Sequence, residues 1–266
     1  MRVLVAVVML AALLTACGNR GSDSILDKGT LAVAVRADLP GLGLKRPDGT
    51  FEGLDIDVAH YVAARLGKKV EFVAVRAADR ITVLTSGRAD LVLATLSVTP
   101  ERKTQIAFAG PYYASYQDIL VRSDERAKAV RDLKGRRFCG VEGADPVKRL
   151  QAVTGMTARI VTAKDYDECM TMIGARSVDA ITTNEVILAG LARRAGGAYR
   201  LVGTRISEQD AGIGIRRDDQ DGCEAVNRAI TQMYQDGTAA RLMRKWFVGS
   251  GMDLSRIEIP QFEGCL

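Results

Sequence analysis

The chain has 266 residues, of which 47% are hydrophobic and 26% charged, and its formal net charge is +5. That length and balance suit a folded protein of one or two domains and exclude a low-complexity or fully disordered chain. The basic residues are interspersed with acidic ones, as in Glu101-Arg102-Lys103 and Asp124-Glu125-Arg126, so no nucleic-acid groove is expected.

The first element is a basic start, Met1-Arg2, followed by an apolar run from Val3 to Leu14. The run is too short to span a bilayer as a permanent helix, and small residues before Cys17 are what a cleaved export signal ends with. Residues 1–16 therefore read as a signal and the small polar stretch 17–24 as a tether. Thr30 to Val35 reads as a buried strand, and a helix is expected from Asp57 to Leu66, closed by Gly67. Val70 to Val75 is the next strand, Ile81 to Ser86 a helix closed by Gly87, and Asp90 to Ala94 a third strand. A second set repeats the alternation. Its strands are Arg137 to Val141, Ala158 to Val161 and Asp179 to Thr183; its helices are Pro146 to Val153 and Tyr166 to Gly174. Such alternation predicts parallel strands with crossover helices, and two sets of similar size predict two lobes. A further helix is expected from Gly222 to Gln235.

The chain has 5 cysteines and 1 histidine. Setting Cys17 aside leaves Cys139, Cys169, Cys223 and Cys265, an even number that predicts two disulfides in an exported chain, with three connectivities open. No Cys-x-x-Cys spacing occurs, and His60 sits in a helical pattern as a partly exposed side chain, so neither a metal nor a cofactor is expected.

The most informative stretch runs from Asp90 to Tyr113. A buried strand enters a Ser/Thr-rich turn, and a short helix opened by Pro100 carries Arg102 back toward it. Free backbone N–H groups, hydroxyls and a planar guanidinium together make a clamp for a small carboxylate. The stretch resembles the Thr-x-x-Arg and Pro-Tyr region, here Thr99 to Arg102 and Pro111-Tyr112, of family 3 extracellular solute-binding proteins. These are the amino-acid receptors of ATP-binding-cassette (ABC) importers, and the similarity is best to the actinobacterial glutamate/glutamine-binding lipoprotein branch. It covers essentially the whole mature chain.

The resemblance implies an α/β, two-lobed type II periplasmic-binding-protein-like fold with a cleft between the lobes. Gln117 to Arg122 and Ala211 to Arg216 would be the two hinge strands. Residues 25–115 and 212–266 would form lobe 1, and 116–211 lobe 2. Arg244 to Phe247 matches a further family hallmark. Leu14-Thr15-Ala16-Cys17 resembles a lipobox, which implies a lipid-modified Cys17 at the extracellular face of the cell membrane. The family also suggests the pairing Cys139–Cys169 and Cys223–Cys265.

Ligand contacts carry over where the motif matches. Arg102 and Ser97 would meet the ligand α-carboxylate, and Ala94 and Thr95 would offer the carbonyl that receives its ammonium. Asp38 matches a lobe 1 aspartate near the mouth, and Arg80 an arginine suited to an acidic ligand side chain. Gly143, Ala144, Asp145 and Asn184 would contribute from lobe 2. Leu39, Gly143-Ala144-Asp145 and Asn184 stand where the branch has Gln, Gly-Ser-Thr and Asp. Asp145 is expected either to cap the helix opened by Pro146 or to supply the negative charge that Asn184 lacks. The implied function is capture of a small polar amino acid, glutamate- or glutamine-like, by a monomeric, non-enzymatic receptor that delivers it to an ABC permease. A ligand-sensing protein of the same fold is the alternative. An enzyme would need a general acid or base, for which Asp38 and Asp145 are the cleft candidates.

Overall fold

Val-, Ile- and Leu-rich runs bounded by Gly or Asp punctuate the chain, and each becomes a strand or helix of the computed structural model, which describes residues 24–250, 252, 254 and 259–265. The expected signal, Cys17 and the tether up to residue 23 lie outside the described residues. In chain order the elements are β1 (Thr30–Val35), β2 (Asp38–Leu39), β3 (Gly43–Lys45), β4 (Phe51–Glu52), α1 (Leu54–Arg65), β5 (Lys69–Ala74), α2 (Arg80–Thr85), β6 (Leu91–Leu93), α3 (Pro100–Lys103) and β7 (Ala107–Tyr113). There follow β8 (Gln117–Arg122), β9 (Arg137–Val141), α4 (Pro146–Thr154), β10 (Arg159–Ala163), α5 (Tyr166–Gly174), β11 (Ala180–Asn184) and α6 (Glu185–Arg194). The last are β12 (Tyr199–Leu201), β13 (Ala211–Ile215), α7 (Gln220–Gln235) and α8 (Thr238–Phe247).

Two five-stranded sheets organise these elements, in the orders β5-β1-β6-β13-β7 and β10-β9-β11-β8-β12. In the first, β1 pairs in parallel with β5 and β6, and β13 runs antiparallel to its neighbours. The second repeats the plan, with β9 parallel to β10 and β11, and β8 antiparallel to β11 and β12. Parallel strands buried on both faces read as continuous apolar runs. Accordingly Leu31, Val33 and Val35 of β1 join one core cluster and Ala34 another. In the second sheet Cys139 and Ile181 face one cluster, and Phe138 and Ala180 the other. The molecule is thus the two-lobed α/β fold that the alternation predicts.

Both disulfides form with the connectivity that the family resemblance implies. Cys139–Cys169 ties β9 to α5, and Cys223–Cys265 ties α7 to the chain end. Helix α1 begins at Leu54, one turn before the expected start, because Gly53 at φ 132° caps it by bringing its backbone against Leu42. Strands β7 and β12, helix α6 and the small sheet β2-β3-β4 are additions to the expected elements. His60 lies exposed on α1 with its ring edge-on to Phe72.

Candidate ligand-binding site

In an α/β sheet the carboxyl ends of parallel strands leave a crevice lined by loop backbone and helix starts. Here the two lobes turn those ends toward each other. The loop after β1 supplies Arg36, that after β5 leads to Ala77 and Arg80, and that after β6 supplies Thr95 and Ser97. From the other lobe, β9 leads to Ala144 and Arg149, β10 to Tyr166, and β11 ends in Thr183 and Asn184. Arg102, Ile187 and Gln209 complete the wall. The cavity left between them measures about 20 Å³, room for about one water, so the two sides stand nearly shut on each other.

The turn after β6 is held from behind. Asp55 of α1 is fully buried, and its carboxylate accepts the Tyr112 hydroxyl at 2.7 Å and the Thr95 N–H at 3.1 Å. Thr95 is left-handed at φ 49°, a conformation that disfavours a β-branched residue unless its surroundings impose it. Burial pushes the Asp55 carboxyl up to about 7, against the downward pull of the Tyr112 hydroxyl, the Thr95 N–H, Arg36 and Arg80.

Four guanidinium groups face the cavity. Arg36 makes a bidentate pair with Asp38, at 2.9 and 2.6 Å. Arg80 is buried and donates to the carbonyls of Ala77 (2.8 Å), Ala94 (3.0 Å), Thr95 (3.0 Å) and, across the cleft, Gly143 (3.3 Å). Burial, then the charges of Arg102 and Arg36, lower its pKa to about 9, so it stays cationic at neutral pH. Arg102 donates to the Ser97 carbonyl at 2.7 Å and to Gly143 at 3.3 Å. Arg149 donates to Gln209 Oε1 at 2.9 Å. Burial is the main influence lowering both of these last two, and their mutual proximity adds to it at Arg102. Guanidiniums fixed by carbonyls, with N–H groups still unengaged among the described residues, form a pre-organised anion receptor.

The model of the bacterial extracellular solute-binding proteins, family 3, matches residues 31–249. The chain belongs to that family. Glutamate-binding protein GluB of Corynebacterium glutamicum is 34% identical over 248 residues, which cover 86% of this chain and 84% of that protein. Glutamine-binding protein GlnH of an ABC transporter of Bacillus subtilis is 29% identical, with 88% and 92% covered. Among solved structures, an ancestral arginine-binding protein bound to arginine superposes with a TM-score of 0.75 at 30% identity, over 83% of this chain and 99% of that one.

Of the site residues expected for this family 3 protein, Arg80, Thr95, Ser97, Arg102, Ala144 and Asn184 line the cavity together. Ala94 and Gly143 stand directly behind, their carbonyls taken by Arg80 and, at Gly143, also by Arg102. Asp38 sits in β2, outside the cavity wall, and is paired with Arg36. Asp145 is not among the cavity-lining residues. It adopts φ 47° with no side-chain cap bond, and its exposed carboxylate pairs with Lys148 at 3.0 Å, so the expected side-chain cap of α4 does not form. Asn184 instead caps α6, its Oδ1 accepting the Ser115 hydroxyl and the Val186 N–H, while its Nδ2 donates to the Gln209 carbonyl at 3.0 Å. Leu39 is buried in the core. The sequence reading did not single out Arg36, Arg149, Tyr166 or Gln209. Arg149 carried a signal, since it lies one turn into the helix that Pro146 opens beside Ala144.

Proposed function

We propose that this chain is an extracytoplasmic receptor, anchored at the outer face of the cell membrane by lipid on Cys17, that captures a small polar carboxylic acid of glutamate or glutamine dimensions and delivers it to an ABC permease as a monomer. Family membership and the names of GluB and GlnH support an amino-acid-sized solute. The observation that carries the reading is Arg102, fixed on Ser97 of its own lobe and on Gly143 of the other, so that a carboxylate bound there bridges both lobes. A ligand that contacts both faces favours the arrangement in which they meet, by its differential affinity for that state.

We assign residues 25–115 and 212–266 to one lobe and 116–211 to the other, with crossings where Ser115 and Gln117 pair with Gln209 and Ser207. The cleft acts by binding rather than by chemistry, because guanidiniums that stay protonated near neutral pH are poor general acids and bases. Arg102→Ala should weaken binding by about 2–5 kcal/mol, the usual cost of removing one partner of a buried charge pair. Titration calorimetry showing a change below about fivefold, or roughly 1 kcal/mol, would remove Arg102 from the site. A Cys17→Ser chain that still partitions with membranes would exclude the lipid anchor.

A further inference from the structure

An α-amino acid brings an ammonium as well as a carboxylate, and an ammonium needs up to three acceptors, at least one of them anionic where water is excluded. The cavity presents four guanidiniums, yet no aspartate or glutamate lines it. The carboxylate that touches one of them directly, Asp38, is already spent on Arg36. The neutral acceptors already face cations. The carbonyls of Ala94, Thr95, Ser97 and Gly143 each receive an arginine N–H, which sets positive charge where an ammonium would have to sit. Gln209 Oε1 accepts Arg149 and the Ser97 hydroxyl.

We infer that the cleft is built for a small dianion, two carboxylates on a short carbon chain with no ammonium group. Two carboxylates would draw on the unengaged N–H groups of Arg102, Arg149 and Arg36, and would offset a charge that a zwitterionic end leaves standing. The remaining carboxylates compensate from outside the wall: Asp145, paired with Lys148, and Glu101 act on Arg102 and Arg149, and the buried Asp55 gives both its oxygens to Tyr112 and Thr95. This inference rests on the cleft being the solute site, as proposed above.

The test is calorimetry on the exported protein with glutarate and glutamate, which share a five-carbon skeleton and differ by the ammonium, and with succinate, aspartate and glutamine. Glutarate should bind at least about tenfold more tightly than glutamate, in line with a lost hydrogen bond to a charged group. Glutamate or glutamine binding as tightly as glutarate overturns the inference and leaves the receptor reading standing. No binding by any of the five overturns both. Gln209→Glu, which places a carboxylate beside Arg149, should shift the glutarate-to-glutamate ratio toward glutamate by at least about tenfold. An unchanged ratio in a variant of normal melting temperature counts against the charge argument.

Discussion

Tyr112 and Tyr113 are adjacent, both buried and stacked edge to face, yet their hydroxyls do opposite things. Tyr112 donates to Asp55 at 2.7 Å, whereas the Tyr113 hydroxyl has no partner among the described residues. Removing a buried donor from its acceptor costs roughly 1–3 kcal/mol, but removing an orphan hydroxyl relieves an unpaid desolvation. Tyr112→Phe should therefore destabilise the fold by about that amount, and Tyr113→Phe should be neutral or mildly stabilising; urea titrations that reverse the order would refute the bonding scheme. Asp55 itself gives a pH signature. Its carboxyl titrates near 7 in the fold, raised first by burial, and near 4 in the unfolded chain. Between those values the folded chain binds the extra proton, so this group's contribution to stability is full below about pH 4 and is lost as pH rises through about 7. Asp55→Asn can still accept from Thr95 and donate to the Tyr112 oxygen. It should flatten the pH slope of stability across that window, a slope worth about 4 kcal/mol at most.

At the scale of elements, the cysteine pairs lock helices to their lobes. Cys139–Cys169 closes a separation of 30 residues and Cys223–Cys265 one of 42, so each should contribute about 4 kcal/mol in the chain-entropy model. A Cys139→Ala, Cys169→Ala double variant should lose about that much in urea unfolding, and a loss below roughly 1 kcal/mol would show that α5 and β9 are held by packing alone. Elements with their own punctuation were legible in the sequence. Helix α5 has the expected bounds because Asp165 caps it through the Glu168 N–H, and β8 and β9 are apolar runs with polar flanks. Strand β7 was hidden because Gly110-Pro111 reads as a turn; proline is tolerated there because β7 is the sheet edge. Helix α6 was hidden because it starts without a loop, Asn184 serving as both the last residue of β11 and the cap. The site divides in the same way. Thr95, Ser97 and Arg102 stand together in one motif, whereas Arg36, Arg149 and Gln209 come from three distant segments that only the topology of two facing sheets brings to one cavity.

At the scale of the whole molecule, two glycines let the lobes pack backbone against backbone. Gly143, in the loop after β9, lies where a Cβ would fall 2.5 Å from the Ala78 Cα of the other lobe, and a Cβ on Gly190 of α6 would fall 2.2 Å from the Pro40 carbonyl oxygen. Neither distance is possible for real atoms, so a methyl group at either place forces the lobes apart. The two substitutions differ in what they do within their own lobe. Gly143 has φ +76°, so Gly143→Ala adds local backbone strain, whereas Gly190 is helical and Gly190→Ala should favour α6 by about 1 kcal/mol. Gly190→Ala is thus the cleaner probe of closure. Its ligand-free stability should hold or rise, while affinity for any ligand that bridges the lobes should fall by at least about tenfold, because the binding-competent state is penalised. Small-angle scattering should show the contraction on ligand addition reduced or lost. If Gly190→Ala binds and contracts like the parent protein, the lobes do not need to meet at Pro40 for capture, and the cleft works without closing along that edge.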